Sequence, residues 1–164
     1  PVRALALSAL APHPGELLWD LGTGSGSVGI EWLLSHPRNR AIGVERDPIR
    51  AARARANARS LGAPHFEIHE GYALALLPGL PAPDAVFIGG GLDAPLLDAL
   101  WAILPAKTRI VAHGVTLETE SLLTGAQARL GGTLLRIELS QAAPLGSRRG
   151  WKASYPVVQW SVTR

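Results

Sequence analysis

A chain of 164 residues, 47% of them apolar, can bury one hydrophobic core and is expected to form a single domain over residues 1–164. It holds no cysteine, no apolar run that could cross a bilayer and no charged-then-apolar leader. Disulfides, thiolate metal sites and a membrane role are therefore not expected, and a reducing, cytoplasmic setting is. The net charge is only +3, and no aromatic residues interleave Arg46, Arg50, Arg53, Arg55 and Arg59, so a solvated helix face is favoured over a nucleic-acid footprint.

A first helix is predicted over about Val2 to Leu10, stopping before Pro12 and Pro14. Glu16 to Leu21 reads as a strand, followed by a helix from Ser27 to about Ser35. A second strand, Ala41 to Glu45, leads into Asp47-Pro48, an N-cap with proline in the first helical turn. The arginine-rich helix that follows stops at Gly62; its predicted apolar line is Ile49, Ala52 and Ala56, between two arginine edges. Phe66 to Glu70 and Ala85 to Ile88 are the third and fourth strands, then a helix spans about Ala94 to Ile103. Arg109 to His113 is a fifth strand, and Thr116 caps a helix reaching about Leu130. Thr133 to Ser140 and Pro156 to Val162 suit a closing antiparallel hairpin, with Gln141 to Ser154 as a long loop between them. Alternating strands and helices with short connections imply a mostly parallel, seven-stranded α/β sheet.

The most informative run is Leu17-Leu18-Trp19-Asp20-Leu21-Gly22-Thr23-Gly24-Ser25-Gly26. A buried strand ends in an acid and alternating glycines, and a helix follows: a nucleotide-binding corner. Gly24-x-Gly26-x-x-Gly29 also satisfies the dinucleotide fingerprint, a weak signal alone. A carboxylate at Asp20 would repel a pyrophosphate but favour a ligand carrying ammonium and sulfonium groups, so S-adenosyl-L-methionine fits better. Glu45 lies at the distance, roughly 20 residues on, from which an acid accepts ribose hydroxyls in either cofactor class. With Arg46 beside it, it joins Thr23, Ser25, Gly71, Tyr72, Ala73 and Gly89 in the predicted cofactor set. His65 and His69, roughly 13 Å apart on a strand, cannot share a metal, and no metal site is expected.

Residues 17–32, Ala85-Val86-Phe87-Ile88-Gly89-Gly90, Val115-Thr116-Leu117-Glu118-Thr119 and Tyr155-Pro156-Val157-Val158-Gln159-Trp160 resemble the decarboxylating precorrin-6Y methyltransferases of cobalamin biosynthesis. The resemblance spans nearly the whole chain. It implies a class I, Rossmann-like, S-adenosylmethionine-dependent methyltransferase fold. The implied activity is methylation of a tetrapyrrole at carbon-15 with loss of carbon dioxide from the carbon-12 acetate. It also implies the C-terminal half of a bifunctional protein, with an N-terminal methyltransferase domain as partner; a chain without methionine that begins at Pro1 agrees with this. Free-standing relatives assemble as tetramers through the terminal hairpin, so a homo-oligomer is expected.

Gly89-Gly90-Gly91 replaces the Asn/Asp-Pro-Pro-Tyr that amino-group methyltransferases place after the fourth strand, and leaves room for a macrocycle. Arg148, Arg149 and Lys152, beside Trp151, suit a substrate fringed with carboxylates. His113, at the carboxyl end of the fifth strand, is the candidate proton donor for the decarboxylation. A methyltransferase of RNA or another small molecule, and a silent cofactor-binding domain, are the competing readings.

Overall fold

Every residue of Leu17–Leu21 (β1) is buried, as a strand covered by helices on both faces requires. The computed structural model describes residues 1–164. After α1 (Val2–Leu10) and β1 come α2 (Ser27–Ser35), β2 (Arg40–Glu45), α3 (Pro48–Ser60), β3 (Glu67–Glu70) and α4 (Ala73–Leu76). The chain continues through β4 (Ala85–Ile88), α5 (Ala94–Ile103), β5 (Arg109–Gly114), α6 (Leu117–Leu130) and β6 (Thr133–Ile137). It ends with β7 (Ser140–Leu145), β8 (Arg148–Ala153) and β9 (Val157–Thr163).

Seven strands form one sheet in the order β3-β2-β1-β4-β5-β9-β6. The first five are parallel, and β9 runs antiparallel to both β5 and β6. The strand period of two sends Leu17, Trp19 and Leu21 to one face, where they pack with residues of α5 and α6 such as Leu97 and Leu123. Leu18 points to the other face, with Ala6, Trp32, Ala58 and Phe66. Three buried tryptophans satisfy their indole N–H on backbone carbonyls: Trp19 on Pro81, Trp32 on Arg40 and Trp160 on Gly131.

The closing pair β6–β9 is present, but β9 enters between β5 and β6 rather than at the edge. Two expectations need correction. First, α3 buries Ala51, Ala54 and Ala58, while Ile49 is 71% exposed and Ala52 and Ala56 face solvent. The cause is close approach: a Cβ on Gly26 would lie 3.3 Å from that of Ala54, so only the small residues fit against the glycine corner.

Second, Gln141 to Ser154 is not a loop. It forms most of a two-stranded arm in which β7 and β8 pair with each other and with no strand of the main sheet. The pair Leu145↔Arg148 encloses Gly146-Ser147, with Gly146 at φ +59°, a two-residue hairpin turn with glycine in its first central position.

Candidate active site

The corner after β1 needs backbone that only glycine adopts freely: Gly22, Gly24 and Gly26 have φ of +70°, +57° and +81°. A Cβ on Gly22 would also stand 3.1 Å from the Gly90 carbonyl, so the corners after β1 and β4 are pressed together. Gly29 serves packing: a Cβ there would overlap the Phe66 ring, which seats α2 on the sheet.

Two buried carboxylates brace this corner. Asp20 Oδ2 accepts from Thr23 Oγ1 at 2.7 Å and from the Gly29 N–H at 3.0 Å. Glu45 Oε2 accepts from the Gly24 N–H at 2.9 Å, and its Oε1 accepts from the Asp47 N–H at 3.0 Å. Burial pushes the Asp20 carboxyl up to about 6; the charge of Glu45 adds to this, and the two hydrogen bonds oppose it.

Beside the corner lies a cavity of about 970 Å³ at the carboxyl ends of β1, β2 and β4. Of the expected residues, Gly22, Gly24, Glu45, Arg46, Gly71, Tyr72, Ala73, Gly89, Gly90 and Gly91 line it. The Arg46 guanidinium stands 5.9 Å from the centre of the exposed Tyr72 ring. Asp20, Thr23, Ser25 and Gly26 are not among the lining residues; they shape the corner from behind or, like Ser25, face solvent. Sequence reasoning missed Arg50, Leu74, Ala75, Asp93 and Leu96, which also line the cavity. Asp93 had a readable signal, an N-cap two residues past Gly91; it accepts from the Leu96 N–H at 2.9 Å.

His113 is outside the lining and buried, its Nε2 2.9 Å from Gln159 Oε1 and its ring edge-on to Phe87 at 5.1 Å. Burial lowers its pKa, against the opposing pull of the Gln159 bond, and so favours the uncharged ring. The surroundings of this candidate proton donor are those of a packed imidazole. The basic residues of the arm are also separated by the pleat. Arg149 and Trp151 share one face with Ala142 and Pro144, whereas Arg148 and Lys152 lie on the other with Gln141 and Leu145. None of the four lines the cavity. No group of three or more histidine, aspartate or glutamate side chains is placed to hold a metal ion.

A sheet of this order, with helices on both faces, a glycine corner after its first strand and an acid closing its second, is the Rossmann-like fold of class I methyltransferases. Residues 1–164 match the family described as the precorrin methyltransferase domain, and the chain belongs to that family. It is 51% identical over 164 residues to the precorrin-6Y C(5,15)-methyltransferase (decarboxylating) of Sinorhizobium sp, covering 99% of this chain and 40% of that relative. The chain thus spans well under half of that protein. It is 32% identical over 161 residues to the cobalt-precorrin-6B C(15)-methyltransferase (decarboxylating) of Salmonella typhimurium, covering 95% of this chain and 83% of that one. The solved C-terminal domain of precorrin-6Y C5,15-methyltransferase from Rhodobacter capsulatus superposes with a TM-score of 0.95 at 53% identity, over 100% of this chain and 89% of the other.

Proposed function

We propose that this chain is an S-adenosyl-L-methionine-dependent methyltransferase that methylates carbon-15 of precorrin-6Y and removes the carbon-12 acetate carboxyl as carbon dioxide, in cobalamin biosynthesis. The observation that carries the cofactor assignment is the double brace. Glu45, which lines the cavity, already accepts from the Gly24 N–H at the corner, and Asp20 is held behind the corner by the Gly29 N–H. A corner bearing two carboxylates suits a cationic ligand and disfavours an anionic one. When bound, the cofactor supplies an electrophilic methyl group on its sulfonium.

The chain's residues hold and orient. Glu45 accepts the ribose hydroxyls, Arg46 and Gly71-Tyr72-Ala73 enclose the adenine, and Gly22, Gly24 and Gly89 leave room for the methionine portion. Gly90 and Gly91 offer no side chain to bind an exocyclic amine, which suits attack by a ring carbon positioned by the protein. Arg148, Arg149, Trp151 and Lys152 on the arm meet the carboxylate fringe. The substrate assignment follows the family, whose members named above carry precorrin substrates in their names. An N-terminal methyltransferase domain is the proposed partner, and the closing hairpin of β6 and β9 is the proposed surface for self-association.

The test is incubation of the chain with precorrin-6Y and methyl-labelled S-adenosylmethionine. Label in the tetrapyrrole with an equal release of carbon dioxide is expected. Bound cofactor without transfer would overturn the substrate assignment, and binding of NAD in preference to adenosylhomocysteine would overturn the cofactor assignment.

A further inference from the structure

Sheet order places three features along one edge. The carboxyl end of β4 carries Gly89–Gly91, and β5 lies between β4 and β9. Because β5 and β6 are each antiparallel to β9, β6 runs parallel to β5. The arm, which joins the end of β6 to the start of β9, therefore springs from the same edge as the corner between β5 and α6. That corner sits between the cavity and the arm, and it exposes two large aliphatic side chains: Val115 is 63% exposed and Leu117 81%.

Local structure gives these side chains no work. Thr116 caps α6, accepting from the Thr119 N–H, so Val115 holds the position from which a hydrophobic staple reaches the fourth helical residue. That residue is Glu120, and no staple forms. Behind the corner, a Cβ on Gly114 would stand 2.8 Å from Thr119 and 3.2 Å from Leu123, so α6 is pressed onto β5. Val115 and Leu117 stand outward from this closely packed turn.

We infer that Val115 and Leu117 form the ledge on which the flat face of the substrate macrocycle rests, its reacting edge over Gly90–Gly91 and its carboxylates toward the arm. This deepens the proposed function and rests on it. The occupant is argued from what bounds the ledge. On one side is a glycine floor without side chains; on the other an arm bears Arg148, Arg149, Lys152 and a Trp151 that is 80% exposed. An apolar ring fringed with negative charge complements that sequence of surfaces.

The experiment compares Leu117→Ser, Val115→Ser and Leu117→Ile with the parent in precorrin turnover, adenosylhomocysteine binding and sedimentation. Each serine variant is expected to raise KM for the tetrapyrrole by ~10-fold or more, the scale of one aliphatic side chain's burial. The adenosylhomocysteine Kd and the sedimentation coefficient are expected to stay unchanged, and Leu117→Ile to restore KM. Serine variants with the parent's KM would overturn the ledge while leaving the methyltransferase reading intact. A changed sedimentation coefficient would reassign the surface to a second copy of the chain and overturn it too. A parent that turns over no precorrin removes both.

Discussion

Asp20 is charged at neutral pH only against the cost of its burial. Its folded pKa, about 6, lies above the ordinary value of 3.8, so the folded chain binds more protons than the unfolded one between these values. The contribution to stability is therefore full below about pH 3.8 and is lost as pH rises through 6, a change of about 3 kcal/mol at 1.36 kcal/mol per pH unit. Asp20→Asn keeps an acceptor for Thr23 and Gly29 but cannot titrate. In urea unfolding at pH 4.5 and pH 7.5, the parent is expected to lose stability relative to this variant across the interval. A constant difference between the two would contradict the assignment. The sequence located this carboxylate beside a cofactor corner, but residue order does not say which way a side chain points. Asp20 turns to Thr23 and the Gly29 N–H behind the corner, whereas Glu45, beyond the end of the pairing with β1, lines the cavity.

Elements were legible where burial leaves a strong pattern. The apolar runs of β1, β4 and β5 are covered on both faces, and Asp47-Pro48 caps α3 as its sequence indicates, with Asp47 Oδ1 accepting from the Ile49 and Arg50 N–H groups. The buried face of α3 was not legible, because alanine on alanine gives almost no hydrophobic contrast and the deciding contact comes from Gly26, far along the chain. The arm was hidden for the opposite reason: with both faces exposed it carries no apolar alternation, and only Gly146-Ser147 announces a turn. Because β6 and β9 already pair as far as Ile137↔Val157, the arm adds nothing to their register. Replacing residues 139–155 by Asn-Gly is expected to leave the melting temperature within about 4 °C of the parent, equivalent to less than about 1 kcal/mol. A differential scanning measurement checks this, and a fall beyond 8 °C would show that the arm supports the sheet.

Across the whole molecule, one charged side chain adds a polar tie between the first helix and the sheet. Arg109, at the start of β5, donates its Nε–H to the Leu10 carbonyl at 2.6 Å, and its guanidinium pairs with Glu16. Burial pushes the Glu16 carboxyl up, but the bond from Arg109, the His13 N–H and their charges outweigh it, holding the group below its usual range. Arg109→Ala is expected to cost about 2–3 kcal/mol, the scale of hydrogen bonds to a charged group. Amide exchange in α1 should accelerate more than exchange in β1; uniform acceleration would mean that Arg109 supports the core as a whole.

The insertion of β9 between β5 and β6 sets the order in which the protein can assemble. β1 to β5 can pair and cover themselves with helices in the sequence in which they are made. β6 cannot join them, because its only neighbour in the sheet is β9, twenty residues later. During synthesis β6 must wait, unpaired, until β9 has emerged, whereas β7 and β8 can already pair with each other. The cavity side of the sheet is thus the earlier folding unit, and the side that presents the arm is completed last.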